Sequence, residues 1–251
     1  MGVSIVIPSF ERPELLDRLL QSIANQTYKE FEVFVVDDNS SNFYRVEQVV
    51  NKYSKEFKIE LTKNKKKMGA PFSRNKGINL AQNDLIALVD DDDEWFPLKL
   101  EKQIEVFKNS GDEVGLVYTW TRVIDSSRNI LREATEVIEG IAKNEILDNC
   151  FISSPSVMVR KKAIIKAGLF DESFPSCQDW DTWTRIIFNN YEIRVCSEFL
   201  TYYYKHDGPT IGTSPRAKEG FILYYQKHFF KLLRFGKFRH LIRFFRLKVG
   251  I

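Results

Sequence analysis

A chain of 251 residues with 43% hydrophobic and 28% charged side chains can bury a sizeable core, which excludes a disordered or fibrous protein. Its net charge of +3 hides an asymmetry: residues 221–251 hold eight Lys or Arg and no Asp or Glu, while the preceding part is net acidic. Cys150, Cys177 and Cys196 show no CxxC or Cys/His spacing, which argues against a disulfide framework or a zinc site.

Met1 leads directly into a strand-like run without the pattern of a signal peptide, so the expected location is the cytoplasm. No run of about 18 apolar residues offers a transmembrane helix, and any membrane contact is expected to be peripheral.

Residues 3–7, 31–36, 58–62 and 85–89 are short β-branched or aromatic runs of the kind buried in a sheet. Between them lie helical patterns at 13–23, 44–53 and 73–80. The first begins with Pro13 and places Leu15, Leu16, Leu19, Leu20 and Ile23 on one stripe. This alternation predicts an α/β fold with a mostly parallel, Rossmann-like sheet, flanking helices and right-handed crossovers. A helix is expected from Pro97 to about Asn109 and a strand near 116–120. Further on, 157–160 and 200–204 read as strands, and 163–167 and 181–190 as helices. Ligands of such sheets sit beyond the carboxyl ends of the strands, which directs attention to the loops 8–12, 37–41, 63–74 and 90–95.

The last of these loops carries Asp90, Asp91, Asp92 and Asp93 directly after the apolar run LIALV. Four adjacent carboxylates repel one another unless a cation joins them, and an all-oxygen ligand set suits Mg2+ or Mn2+. A hard cation with open positions can bind phosphate oxygens and stabilise a leaving diphosphate. The alternative is a solvated acidic turn. For Asp37 and Asp38 the alternative is a turn capped with Asn39 and Ser40.

Five motifs in order, IVIPSFERPELLDRLLQSI, FEVFVVDDNSS, MGAPFSRNKGI, LIALVDDDDEWFPLKLEKQ and QDWDTWTRI, resemble those of the family 2 glycosyltransferases, which have the GT-A fold. The resemblance covers roughly residues 3–215. It implies that Pro8, Ser9, Phe10 and Glu11 form the first-strand loop approaching the nucleotide and that Asp38 meets the base. Gly69 and Arg74 would lie near the uracil or diphosphate, with Asp90 and Asp91 on the nucleotide side. Asp92 is the implied metal ligand, and Asp90 would contact ribose or a metal-bound water. Inverting members need a carboxylate to take the acceptor proton; Asp179 matches it, although Gln178 stands where the family often has Glu, and Asp181 is the fallback with helix capping as its other role. Trp180 and Trp183 could stack on a sugar or pack the helix. His206 resembles a late histidine that completes the metal shell in some GT-A enzymes, and the turn after it could close over the donor.

The end of the chain reads as two basic amphipathic helices, 221–235 and 238–249, separated by Gly236. In the second, Phe238, Leu241, Ile242 and Phe245 share a face, while Arg239, Arg243 and Arg246 follow at i, i+4 and i+7. An anionic membrane surface suits this pattern better than nucleic acid. Packing on the catalytic domain or on a second subunit of a homodimer is the alternative.

The expectation is therefore a catalytic domain, 1–215, with a helical segment, 216–251. The expected activity is inverting, metal-dependent transfer of a single hexose from a nucleotide sugar, a UDP-sugar first, to a glycan or lipid-linked saccharide. A Mg2+-dependent phosphotransferase would want its acid cluster after the first strand, whereas here it follows the fourth. A silent nucleotide-sugar or glycan-binding module would not need both Asp92 and Asp179. No GxGxxG follows the first strand, which disfavours a dehydrogenase, and no GxxxxGK[ST] suggests a P-loop NTPase.

Overall fold

The computed structural model describes residues 1–205 and 215–249. In chain order the first half comprises β1 (Val3–Ser9), α1 (Pro13–Ala24), β2 (Phe31–Asp37), α2 (Phe43–Tyr53), β3 (Lys58–Lys63), α3 (Ala70–Leu80), β4 (Leu85–Leu88), β5 (Glu94–Trp95) and α4 (Lys99–Lys108). Then follow β6 (Val114–Ile124), β7 (Ile130–Ala134), α5 (Lys143–Asp148), β8 (Met158–Arg160), α6 (Lys161–Lys166), α7 (Gln178–Phe188) and β9 (Glu192–Tyr204). Three helices, α8 (Pro215–Lys227), α9 (Phe229–Arg234) and α10 (Phe238–Val249), close the described chain.

The sheet order is β3-β2-β1-β4-β8-β6-β9-β5, with β7 beside β6. β1 to β4 are mutually parallel, and the apolar runs of β1, β2 and β4 are buried on both faces because helices cover both. Side chains alternate accordingly. Val3, Ile5 and Ile7 face the core under α1, α2 and α4, while Val6, Ile86 and Leu88 face the one under α3, α5 and α7. β3 ends the sheet and is polar, with exposed Lys58 and Glu60 blunting that edge. Gly77 of α3 lies so close to β1 that a Cβ there would stand 2.5 Å from a Val6 methyl, which holds the helix tight against the strand.

The second half is mixed. β8 runs antiparallel to β4 and β6, and β6 runs parallel to β9. The short β5 pairs with the end of β9, so the acidic run turns between β4 and a strand anchored by Tyr202 and Thr201. Beneath it, buried Lys99 lies 4.1 Å from the Trp95 ring centre and donates to Gln103 at 2.6 Å; burial pushes its ammonium down to about 7. Gln103 in turn donates to the carbonyls of Val117 and Ser156, both at 2.9 Å.

The C-terminal helices share a core with the rest of the chain: Tyr224, Tyr225, Leu232, Leu241 and Phe244 are buried in one cluster with Trp180, Trp183 and Ile186. α10 therefore departs from the single stripe expected of it. Leu241 and Phe244 turn inward, while Phe238, Ile242 and Phe245 stay exposed. Among the described residues no helix is long and apolar enough to cross a membrane.

Asp181, fully buried on α7, ties α8 to this body. It accepts from Arg185 Nε at 2.9 Å, Lys227 Nζ at 3.0 Å and His228 Nε2 at 2.9 Å. Although burial alone would raise its pKa, the bonds from His228 and Arg185 hold it down at about 2. A depressed carboxylate contributes stability that is complete above the unfolded pKa of about 4 and lost as pH falls through the folded value. Asp181→Asn is expected to cost about 3 kcal/mol in urea unfolding at pH 7 and to flatten the loss of stability expected of the native chain between about pH 4 and 2.

Candidate active site

The loops after β1, β2 and β4 converge with the start of α3, with α7, α8, α10 and with the end of β9 on a cavity of about 1360 Å3. Pro8, Ser9, Phe10, Asp38, Arg74, Asp90, Asp91, Asp92 and Asp179 all line it. Residues from five of the expected motif segments thus meet in one place. Glu11 and Gly69 do not line it, and His206 lies outside the described residues.

The acidic run is divided by its surroundings. Asp90 and Asp92 are partly exposed, whereas Asp91 and Asp93 are buried. Asp91 accepts the Phe10 N–H at 3.1 Å and has Arg12 Nη1 at 3.4 Å; burial, only partly offset by Arg12, pushes its carboxyl up to about 7. Asp93 accepts the Tyr204 N–H at 3.1 Å, and burial followed by repulsion from Asp92 and Asp90 raises it well above the carboxylate range. Asp92 is ion-paired with Arg12, and its carbonyl accepts from Arg18 Nη2 at 2.5 Å.

Arg74 comes from the first turns of α3. Its Nη2 meets Asp90 at 2.5 Å, while Nε and Nη1 are buried without a hydrogen-bond partner among the described residues. Phe170 holds the guanidinium from one side, 5.3 Å from its ring centre. Asn75 fixes Phe170 by exchanging hydrogen bonds with its backbone, both at 2.9 Å. Asp37 is buried and caps a turn through Ser40, whose N–H it accepts at 2.9 Å. Asp38 does different work. Its oxygens accept the N–H groups of Met68 and Gly69, both at 2.7 Å, and the Asn64 amide at 2.9 Å. Gly69, at φ 92°, supplies the backbone geometry this loop needs to deliver two N–H groups to one carboxylate. Glu11 is tied to Ser41, whose N–H it accepts at 2.7 Å, and so joins the loops after β1 and β2 outside the cavity.

Asp179 lies in the first turn of α7, partly exposed on the cavity wall, and accepts the Trp180 N–H at 2.8 Å. Burial raises its pKa and the Arg74 charge pulls the other way. Trp180 stacks on Tyr224 at 3.8 Å and donates to the Ile146 carbonyl at 2.6 Å, while Trp183 is wholly buried, so both are held by packing. Asp181, occupied by Arg185, Lys227 and His228, does not line the cavity.

Several residues with a part in the site had no motif to mark them. Arg12 stood at the end of the first loop without an assigned role, yet pairs with the acidic run. Arg18 lies over the Tyr204 ring at 3.6 Å, and Tyr203, Tyr225, His240 and Arg243 line the cavity. Their contributions depend on long-range packing of β9, α8 and α10.

The family model described as "Glycosyl transferase family 2" matches residues 4–169. The chain belongs to glycosyl transferase family 2. An uncharacterized glycosyltransferase of Methanocaldococcus jannaschii is 35% identical over 206 residues, covering 80% of this chain and 70% of that protein. A UDP-Glc:α-D-GlcNAc-diphosphoundecaprenol β-1,3-glucosyltransferase of Escherichia coli is 26% identical over 212 residues, covering 84% and 80%.

Among solved structures, S. aureus TarS 1–349 in complex with UDP-GlcNAc superposes with a TM-score of 0.77 at 19% identity, over 100% of this chain and 73% of that one. A mannosyltransferase from Pyrobaculum calidifontis in complex with GDP-Man and Mn2+ gives 0.67 at 16% identity, over 90% and 63%. The fold is GT-A, and the chain is a glycosyltransferase acting on nucleotide sugars.

The donor set of this glycosyltransferase fits a hard cation. Asp90 and Asp92 offer carboxylate oxygens on the cavity wall, while no group of three His, Cys, Asp or Glu side chains able to hold a metal is gathered among the described residues. The unsatisfied donors of Arg74 lie beside them and suit phosphate oxygens. Asp38→Ala removes three hydrogen-bond acceptances from the loop before α3. Faster amide exchange over residues 64–69, together with nucleotide binding weakened about tenfold, is the expected result in hydrogen-exchange and calorimetric measurements.

Proposed function

We propose that this glycosyltransferase is an inverting, metal-dependent enzyme that moves a single hexose from a UDP-sugar to the hydroxyl of a glycan or lipid-linked saccharide. The observation that carries this reading is the meeting of Asp90, Asp92, Arg74 and Asp179 on one cavity wall. UDP as the nucleotide is supported by the UDP-GlcNAc complex of TarS and the UDP-Glc donor in the name of the E. coli relative. That same name supplies the lipid-linked acceptor, and the mannosyltransferase complex supplies Mn2+.

In this reading residues 1–215 are the catalytic unit and residues 216–251 an appended helical segment that completes its wall. Pro8, Ser9 and Phe10 flank the nucleotide, Asp38 reaches the base with the lone pair of Oδ2 left over from the loop it holds, and Arg74 turns its unsatisfied N–H groups to the diphosphate. Asp91 supports the nucleotide side through Phe10. Asp92 would hold the metal, Asp90 would contact ribose or a water on that metal, and His206, outside the described residues, is the further candidate ligand. A bound Mg2+ or Mn2+ would stabilise the charge of the departing diphosphate.

Asp179 takes the proton of the acceptor hydroxyl as that oxygen bonds to the anomeric carbon and the diphosphate leaves from the opposite face. Its burial raises the carboxyl toward the working pH and makes it a better base than an exposed aspartate. Activity should accordingly fall as pH drops through that raised value. Asp179→Asn should lower kcat by about 10²–10⁴-fold while leaving the binding of UDP and Mn2+ within about twofold. Product configuration read by NMR coupling constants tests inversion, and a retained anomer would overturn it. Thermal shifts with UDP-, GDP- and dTDP-sugars, with and without Mn2+, test the donor and the metal.

The exposed Phe238, Ile242 and Phe245 of α10, beside Arg239 and Arg246, support contact with an anionic membrane at the cytoplasmic face. Because α8 supplies core residues, deleting the segment would open the core, so surface substitution is the better probe. Changing the three apolar residues to Ser should reduce binding to phosphatidylglycerol vesicles at least about tenfold with no change in thermal stability; undiminished binding would remove the membrane from the reading.

A further inference from the structure

The cavity is larger than one nucleotide sugar needs, and the part of its wall built by α8 and α10 has its own chemistry. Phe221, Tyr225, His240 and Arg243 line it together with Asp148 and Cys177. Asp148 is already matched, accepting from Lys237 Nζ at 2.6 Å and Arg239 Nη2 at 3.0 Å, with His240 at 3.6 Å. Lys227 is likewise spent on Asp171 and Asp181.

Arg243 differs from these cations. Its guanidinium rests 4.5 Å from the Phe221 ring centre, its charge acts on the Tyr225 hydroxyl, and it forms no ion pair with a carboxylate among the described residues. Cys177, which precedes α7, feels both Arg243 and Asp179, so the unmatched cation and the proposed base act on the same stretch of wall. An arginine held on an aromatic face keeps its planar donor fork available for an oxyanion and loses little freedom on binding one.

We propose that Arg243, supported by Phe221 and Tyr225, is an anion subsite of the acceptor, so that the saccharide glycosylated here carries a phosphate or carboxylate close to its reacting hydroxyl. This rests on the cavity being the transfer site with Asp179 as base. Two sources provide that chemistry: the phosphate of a lipid-linked sugar, or a uronic acid within a glycan. In either case the charge is read by the C-terminal helices, while the β-strand loops read the donor.

The test is calorimetry on the full-length protein with UDP and Mn2+ filling the donor side, titrated with the 1-phosphates, uronates and methyl glycosides of glucose and galactose. At least one anionic sugar should bind about tenfold more tightly than its neutral counterpart. Arg243→Gln should abolish that advantage and Arg243→Lys should keep part of it, because Lys retains the charge without the fork. Preference for the phosphate identifies a phosphate-linked acceptor, and preference for the uronate an acidic glycan. A charge preference that survives Arg243→Gln, or no preference in the native chain, overturns the subsite. Failure of UDP to bind at the outset would instead strike the donor site, and the comparison of native and Arg243→Gln protein would still be read.

Discussion

The site is governed by the repulsion among four consecutive carboxylates at the end of a buried strand. Two unit charges about 4 Å apart interact by about 4 kcal/mol at the effective dielectric near a protein surface, so an uncompensated run would compete with the stability of the whole domain. The fold meets this from several directions. Arg12 arrives from the loop after β1 and pairs with Asp92 and Asp91, Arg18 reaches the Asp92 carbonyl from α1, and Arg74 pairs with Asp90 from α3. Burial raises Asp91 and Asp93, which lessens the charge those two carry. The outcome is an unequal set, with Asp90 and Asp92 partly exposed at the cavity and Asp91 and Asp93 buried in the turn.

That compensation also positions the neighbouring loops. Asp91 holds the Phe10 backbone and Asp93 the Tyr204 backbone, so the turn after β4 fastens both the first-strand loop and the end of β9. Asp38 does the same for the loop before α3. Side chains that sequence patterns assign to ligands are thus also the fasteners of the loops that would receive those ligands.

The parallel half of the fold was legible because β1, β2 and β4 are apolar on both faces and α1 carries a clear stripe. The order of the four acidic and basic loops followed from that alternation. Other features were hidden for physical reasons. β5 has two residues and forms only by pairing with β9, and β7 is exposed, so neither has a run of its own to read. α7 begins at Gln178, earlier than its apolar pattern suggests, since its first turn faces the cavity. The stripe on α10 misled because a helix packed on one side and exposed on another can carry apolar residues on both. Arg12, Arg18 and Arg243 act through contacts with distant elements, which local spacing does not encode. Glu11 was drawn in by adjacency to the loop, yet its side chain turns to Ser41.

α7 faces two ways: Asp179 points to the cavity, and two residues later Asp181 is locked to His228 and Lys227 across the boundary with the C-terminal helices. This limits how the chain can be recombined with its relatives. A chimera joined at residue 215 would exchange one half of a buried charge cluster and leave the other behind, removing counter-charges from Asp181 next to the proposed base. Graft boundaries should instead keep α7 and α8 together, so acceptor preference would be inherited as a four-helix unit of α7, α8, α9 and α10.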